Sequence, residues 1–175
     1  MSITDDLLKA NVRYAEDFRL GHLKMPPARK LAVVACMDAR VTVERLLGLE
    51  TGDAHIIRNA GGIITEDALR SLVISQQLLG TEEVVIINHT DCGMLTFDDR
   101  ELRERLERRT GTSPVVPLHF HAFTDLDENV RRQIARVRQH PWIPGTIPVR
   151  GFVYDVATGR LREVPAGERS TTRAA

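Results

Sequence analysis

Short apolar runs alternate along this chain with longer stretches in which apolar residues recur at helical spacing. Three runs, at 31–35, 54–60 and 84–88, are too short for helices and rich in β-branched residues, so they predict buried strands. Helical patterns over 43–47 and 65–79 lie between them. This order of strand, helix, strand, helix and strand predicts a parallel sheet with right-handed crossovers.

Two further helical patterns contain many charges. Residues 1–25 are expected to form an N-terminal arm with an amphipathic helix over 3–20, whose apolar groups lie on more than one side. Packing of this helix on its own domain and packing against another subunit both stay open. The densely charged segment 98–109 is expected to be a solvated helix that contacts the core through one stripe and has no chemistry of its own.

Polar residues indicate where two of the helices begin. Thr65 can cap the helix predicted over 65–79, because its side chain can accept a hydrogen bond from the first turn. A last helix is predicted over 126–140, with Thr124 or Asp125 as its cap.

The C-terminal region predicts an antiparallel hairpin. Strand patterns over 149–155 and 160–164 flank a turn at 157–159. The polar segment 165–175 is expected to be a flexible tail. We therefore predict one α/β domain over residues 1–175, with a central, mostly parallel sheet flanked by helices and an antiparallel hairpin at its end.

Composition and charge narrow the class of protein. Lysine and arginine together number 24, as do aspartate and glutamate, so neither nucleic acid nor an anionic membrane surface is an expected partner. No apolar run reaches about 18 residues. The first residues do not have the pattern of a secretory leader, so a cytoplasmic protein is expected.

Both cysteines of the chain fall at predicted strand ends. Cys36 follows the first strand, and His89 and Cys92 follow the third. Because open parallel sheets keep their sites at the carboxyl ends of the strands, these three side chains are expected to converge. Thiolate and imidazole are ligands that zinc prefers, so the placement favours metal binding over a disulfide.

Asp38 and Arg40 favour a catalytic zinc site over a structural one. They alternate with Cys36 along an extended segment and so share its side. An arginine beside the carboxylate would keep it ionised and fix its orientation. Three ligands leave a fourth position on the metal, for water or for Asp38 itself. The alternative is that Asp38 only caps the next helix.

Three motifs at the strand ends resemble those of the β-class carbonic anhydrases. They are Cys-x-Asp-x-Arg from Cys36, Arg-Asn-Ala-Gly from Arg58, and His-x-x-Cys-Gly from His89. Their order and spacing match the family throughout residues 30–93. The stretch Gly-Phe-Val-Tyr-Asp-Val-x-Thr-Gly from Gly151 resembles the family's last strand, so the resemblance covers most of the chain.

The resemblance implies a mechanism and an assembly. It makes Cys36, His89 and Cys92 the zinc ligands and Asp38 with Arg40 the catalytic dyad, with Asp38 as fourth ligand in a closed state. The reaction implied is reversible hydration of carbon dioxide to bicarbonate and a proton by zinc-bound hydroxide. The assembly implied is an obligate homodimer, or a higher oligomer, with active sites near the subunit interface.

Substrate contacts and substrate identity are less well defined by the resemblance. Many family members carry a glutamine upstream of the cysteine strand, but no glutamine precedes Gln76 here. Backbone groups around Gly61 and Gly93 are the expected substitute. The short bacterial branch also resembles hydrolases of carbonyl sulfide and carbon disulfide, which the motifs do not separate from carbonic anhydrases.

A function of another class also stays open. The chain could be a non-catalytic domain that keeps zinc for folding and binds a partner. The Asp38–Arg40 pair favours the enzyme, because a purely structural metal needs no carboxylate there and no arginine to hold it.

Other polar residues near the predicted site receive simpler interpretations. His119 and His121 lie in an irregular connection and form a His-x-His pair, but no cysteine or carboxylate motif flanks them, so we assign no second metal site. Asp91 is expected to cap a helix that starts near Gly93, with a hydrogen bond to His89 as the alternative.

Overall fold

Five strands form one sheet in the computed structural model of the protein, which describes residues 2–114 and 119–167. Their bounds are β1 Leu31–Cys36, β2 Ala54–Asn59, β3 Glu83–His89, β4 Val149–Tyr154 and β5 Leu161–Val164. In the order β2-β1-β3-β4-β5 the first four strands run parallel, and β5 is antiparallel to β4. The mostly parallel sheet and its C-terminal antiparallel pair are confirmed.

Helices and short 3₁₀ turns connect the strands. They are α1 Ile3–Glu16, α2 Val43–Leu47, α3 Glu66–Gln77, α4 Asp99–Thr110 and α5 Leu126–Arg138, with 3₁₀ turns at Ala60–Gly62 and Gly93–Leu95. The Thr65 side chain accepts a hydrogen bond from the Ala68 N–H, as predicted for the cap of α3. Asp125, not Thr124, caps α5 by accepting from the Glu128 N–H.

The central strands are covered by side chains on both faces. On one face, α3 and α5 place Leu72, Val130 and Ile134 against the sheet. The other face carries a smaller buried cluster that includes Val41 and Val43 at the start of α2. Burial on both faces explains the nearly continuous apolar runs of β1 and β3, and it holds their carboxyl ends in a fixed relation.

Helix α1 is shorter and more exposed than its pattern suggests. It ends at Glu16, four residues before the predicted end, and no residue of this described helix is buried. The exposed fractions of Leu7, Leu8 and Val12 are 64%, 62% and 61%. The helix therefore does not pack on its own domain, which eliminates one of the two alternatives for this segment.

The C-terminal end of the chain is described only as far as residue 167. Residues 115–118 and 168–175 lie outside the described residues, so most of the tail predicted over 165–175 does too. No helix in the described part of the chain is long and apolar enough to cross a membrane. The bounds of the predicted domain over 1–175, of its N-terminal arm and of its tail stay predictions.

Candidate metal centre

The carboxyl ends of β1 and β3 bring the three predicted ligands together. Pairing of Ala35 with Ile87 sets these neighbouring strands so that Cys36 and His89 both lie at the same edge. The two cysteine sulfur atoms and a ring nitrogen of His89 all lie within 4.8 Å of one another. Cys36, His89 and Cys92 are 5%, 1% and 3% exposed. Among the described residues, this is the one such group of three that could hold a metal ion.

His89 is oriented as a metal ligand. Its Nδ1 donates to the Thr90 carbonyl oxygen at 2.8 Å, which assigns the proton to Nδ1 and leaves a lone pair on Nε2. Nε2 is buried and has no hydrogen-bond partner among the described residues. Since a buried nitrogen without a partner is unfavourable, a cation at this position would satisfy it.

The two thiols also fit a cation. The hydrogen bond with Cys92 lowers the pKa of Cys36 to about 4, against the effect of burial. The same hydrogen bond, together with burial, raises the pKa of Cys92. The close approach of the two sulfur atoms therefore favours a thiolate at Cys36, and a bound cation would favour thiolates at both positions.

Asp38 is held beside this group by Arg40. The guanidinium donates from Nε to Asp38 Oδ1 at 3.0 Å and from Nη2 to Oδ2 at 2.8 Å, and the Arg40 backbone N–H donates to Oδ1 at 2.9 Å. These bonds hold the pKa of Asp38 well below its usual range, so it is ionised. Asp38 Oδ2 lies 3.8 Å from His89 Nε2.

The structure does not support Asp38 as a helix cap. Thr42 is the residue at the N-terminal cap of α2, and Asp38 lies four residues before it. The Asp38 carboxylate is occupied by Arg40 instead. The alternative in which Asp38 only caps the following helix is therefore wrong.

Asp91 was also misassigned from the sequence. Cys92 occupies the cap of the 3₁₀ turn that follows, without a side-chain cap bond in this described segment. The Asp91 carboxylate instead accepts from Arg40 Nη1 at 2.7 Å, and its carbonyl accepts from Nη2 at 3.0 Å. Arg40 thus joins the loop after β1 to the loop after β3, which residue types near Asp91 could not indicate.

Arg58 supports the loop that carries the first ligand. From the end of β2, it donates from Nε and Nη2 to the Cys36 carbonyl at 3.1 and 2.9 Å. Nη2 also donates to the Asp38 carbonyl at 2.7 Å. Residue-by-residue reasoning gave Arg58 no role; its position at the carboxyl end of a strand beside the site was the available signal.

Two predicted substrate contacts have different surroundings. Gly61 is buried with φ +81°, and an added Cβ would lie 3.0 Å from Met94. Gly93 has no heavy atom of the described residues within 4 Å of an added Cβ, apart from its own chain neighbours. Gly93 therefore borders open space, whereas side chains enclose Gly61.

Asp99 fixes a wall of the site and was missed from the sequence. Its carboxylate accepts from the backbone N–H groups of Phe120, His121 and Ala122 at 3.0, 3.1 and 2.8 Å. The next residue, Phe123, packs in a buried cluster with both cysteines. The first residue of the charged helix α4 therefore holds the connection that was expected to be irregular.

Known proteins resemble this chain over nearly its whole length. A family profile described as carbonic anhydrase matches residues 31–161. Beta-carbonic anhydrase 1 of Mycobacterium tuberculosis is 48% identical over 164 residues, which cover 94% of this chain and 99% of that protein. A carbon disulfide hydrolase of Acidianus is 34% identical over 184 residues, covering 92% and 90%. The solved carbonic anhydrase of Streptococcus mutans has a TM-score of 0.89 at 47% identity, covering 94% and 99%.

Proposed function

The chain belongs to the β-class carbonic anhydrase family, and from that premise we propose that it catalyses the reversible hydration of carbon dioxide to bicarbonate and a proton. The observation that carries the proposal is the ionised Asp38, held by Arg40 and lying 3.8 Å from the His89 nitrogen that faces the metal group. A metal kept only for folding would not explain this pair, so the non-catalytic zinc domain is the weaker alternative.

Zinc is the cofactor of this family, and Cys36, His89 and Cys92 are the residues that would hold it. Their sulfur and nitrogen donors match the ligands zinc prefers. When bound, zinc would lower the pKa of a coordinated water and so supply the nucleophile, and because two thiolate ligands weaken this effect, mildly alkaline pH would favour it.

Asp38 has the properties of an orienting acceptor. Because its pKa lies well below the usual range, it stays ionised and takes up a proton poorly at neutral pH. It can accept a hydrogen bond from an O–H group in the site, which directs the oxygen lone pair towards carbon dioxide. Arg40 fixes the carboxylate for this task through two side-chain hydrogen bonds.

A closed state with Asp38 as fourth zinc ligand stays part of the proposal. Asp38 is not a member of the three-residue metal group found among the described residues. Moving it onto the metal would disturb its side-chain bonds to Arg40, which engage both carboxylate oxygens. Arg40 is therefore the residue that would oppose closure, by keeping the carboxylate turned towards itself.

Hydrolysis of carbon disulfide or carbonyl sulfide is the second candidate activity. The relative from Acidianus named carbon disulfide hydrolase supports it, at 34% identity against 48% for the mycobacterial carbonic anhydrase. Carbon dioxide, carbonyl sulfide and carbon disulfide are linear molecules that could use the same metal group. We rank carbon dioxide first on the higher identity.

Gly61 and Gly93 remain the proposed substrate contacts, with different tasks. An added Cβ on Gly61 would meet Met94, Ile63 and Phe123, so this glycine borders side chains rather than open space. Gly61 would therefore contribute by shaping the wall of the site. The backbone beside Gly93 borders open space, which suits direct contact with substrate.

We propose a homodimer in which α1 packs on the second subunit, and a higher oligomer is compatible with it. The exposed Leu7, Leu8 and Val12 support this, because apolar groups at this density need a partner surface. A cytoplasmic location is proposed as well, supported by two free cysteines that a reducing compartment would keep available for metal.

Stopped-flow carbon dioxide hydration on the zinc-loaded protein at mildly alkaline pH tests the function. Activity in the native protein and its loss in Cys36→Ser are expected. If the zinc-loaded protein is inactive, the proposal fails, and release of hydrogen sulfide from carbon disulfide or carbonyl sulfide then tests the second candidate. Inactivity on all three substrates would leave the structural zinc domain.

A further inference from the structure

Three buried amide side chains, which we call the amide relay, lie in a row behind the metal centre. Asn88 and Asn129 are each 1% exposed, and Gln133 is 6% exposed. Asn88 lies on β3 directly before His89, whereas Asn129 and Gln133 lie one turn apart on α5. Buried amides are unfavourable unless they are hydrogen-bonded, so their partners explain why they are there.

The amide relay begins and ends on the turn that follows β2. Gln133 Nε2 donates to Asn129 Oδ1 at 2.9 Å, and Asn129 Nδ2 donates to Asn88 Oδ1 at 2.7 Å. Asn88 Nδ2 then donates to the Gly61 carbonyl at 3.0 Å. At the other end, the Ile64 N–H donates to Gln133 Oε1 at 2.8 Å. The segment from Gly61 to Ile64 is thereby held at two points.

The same turn contacts the first metal ligand. Asn59, which leads into the turn, pairs with Cys36 in the sheet, and its carbonyl oxygen accepts from the Met37 N–H at 2.9 Å. An added Cβ on Gly62 would lie 3.0 Å from both Asn88 Nδ2 and the Cys36 backbone nitrogen, so the turn runs closely between these two residues. A displacement of Asn88 is therefore transmitted through the turn to Cys36.

We propose that the amide relay positions the turn from Gly61 to Ile64 against Cys36 and so orients this residue as a metal ligand. The inference rests on the proposed zinc enzyme and assigns Asn88, Asn129 and Gln133 as positioning residues. A turn that is held in place fixes the backbone of Cys36 and with it the direction of the sulfur atom. Groups that orient metal ligands in this way alter metal affinity by about 10–100-fold when they are removed.

Asn129→Leu tests the amide relay at its centre. Leucine has a similar volume but cannot donate to Asn88 or accept from Gln133, so the relay is broken there. We expect zinc to bind roughly 10-fold more weakly in chelator competition. In the cobalt-substituted protein we expect the sulfur-to-metal charge-transfer band to shift, because the position of the Cys36 sulfur changes.

Gln76 provides a matched control. It is another buried glutamine, 9% exposed, and neither of its side-chain polar atoms has a hydrogen-bond partner among the described residues. We expect Gln133→Met to weaken zinc binding and to shift the cobalt spectrum. We expect Gln76→Met to leave zinc affinity within about twofold of the native value, because Gln76 is outside the relay.

A role in folding alone predicts a different result. Folded Asn129→Leu and Gln133→Met proteins with native zinc affinity and an unchanged cobalt band would overturn the proposal. If a variant does not fold, the native protein decides: the side-chain amide NMR signals of Asn129 and Gln133, which lie on α5 and bind no metal, should shift on zinc loading, and unshifted signals would overturn the proposal. Zinc affinity is measured without substrate, so failure of the proposed activity is seen separately.

Discussion

Arg40 makes one side-chain contact nearby in the sequence and another 51 positions away. It binds Asp38 two residues away and Asp91 in the loop after β3. The first contact could be predicted, because extended spacing places the two side chains on one side. The second could not, since an aspartate before a turn is usually a cap and only the fold brings this one to Arg40.

Asp38→Asn tests the orienting role at the residue scale. We expect kcat for carbon dioxide hydration to fall roughly 100-fold while zinc content stays at the native level, because the amide is a weaker acceptor and presents an N–H to the site. Stopped-flow kinetics with metal analysis on the same sample measures both quantities.

Asp127→Asn is the matched control for this substitution. Asp127 also binds an arginine through both oxygens, with Arg162 Nη1 to Oδ2 at 2.9 Å and Nη2 to Oδ1 at 2.6 Å, and it lies on α5 away from the metal group. Its kcat should match the native value. Asp38→Asn with kcat within a few-fold of native would show that the carboxylate is not needed for orientation.

Among the elements, α5 does more than its apolar stripe indicates. The stripe of Val130, Ile134 and Val137 was visible in the sequence, and it packs on the sheet as expected. The polar Asn129 and Gln133 on the same helix are buried too, because they face the turn after β2 rather than solvent. Periodicity identifies the buried face, but it does not show which polar residues that face accommodates.

Close packing of α5 on β4 depends on Gly151. A Cβ added there would overlap Val130 Cγ1 and lie 2.8 Å from Ile134 Cδ1. Gly151→Ala is therefore expected to lower the free energy of unfolding by about 1–3 kcal/mol in urea denaturation. Gly145→Ala, with no neighbour among the described residues within 4 Å of its Cβ, should change it by less than about 0.5 kcal/mol. Equal effects of both substitutions would contradict the packing argument.

The carboxylate of Asp99, at the start of α4, makes the stability of this wall of the site depend on pH. Burial opposes ionisation of Asp99, but the N–H groups of residues 120–122 outweigh it and lower its pKa. A lowered folded-state pKa contributes stability above the unfolded pKa of about 3.9, and this is lost as pH falls through the folded value. Acid unfolding should therefore be partly due to Asp99.

Asp99→Asn tests this assignment. The amide oxygen is a weaker acceptor for the three N–H groups, so we expect a loss of about 1–3 kcal/mol at pH 7 in urea denaturation. The difference in free energy of unfolding between the variant and the native protein should shrink as the pH is lowered below 4, because native Asp99 then becomes neutral, like asparagine. A difference that stays constant down to acid pH would mean that the charge of Asp99 contributes nothing.

At the scale of the whole molecule, a single chain does not explain why helix α1 exposes its apolar side chains. Its sequence carries a capping box at Ser2 and Asp5, so local hydrogen bonds stabilise the first turn of the helix. Its apolar side chains nevertheless remain exposed in the chain alone. The physical requirement to bury them points outside the chain, as proposed above for the second subunit.

A double variant, Leu8→Glu with Val12→Glu, tests this interface. The two positions are one turn apart, and each buried apolar side chain contributes about 1.5–3 kcal/mol, so the dimer should dissociate at least about 100-fold more readily in sedimentation. Arg13→Glu introduces a carboxylate on the same helix without removing an apolar group, and the dimer should largely persist. A double variant as dimeric as the native protein would exclude α1 from the interface.

The sequence by itself determined the strands, most helices and the convergence of Cys36, His89 and Cys92. These depend on local periodicity and on the rule that parallel strands end at one edge, both of which act over short stretches. Tertiary structure alone decided which groups support the ligands. Three sets of hydrogen bonds join segments that are far apart in sequence: those from Arg58 to the Cys36 carbonyl, from Arg40 to Asp91, and within the amide relay. Hydrogen bonds of this kind form only where packing brings a donor to an acceptor.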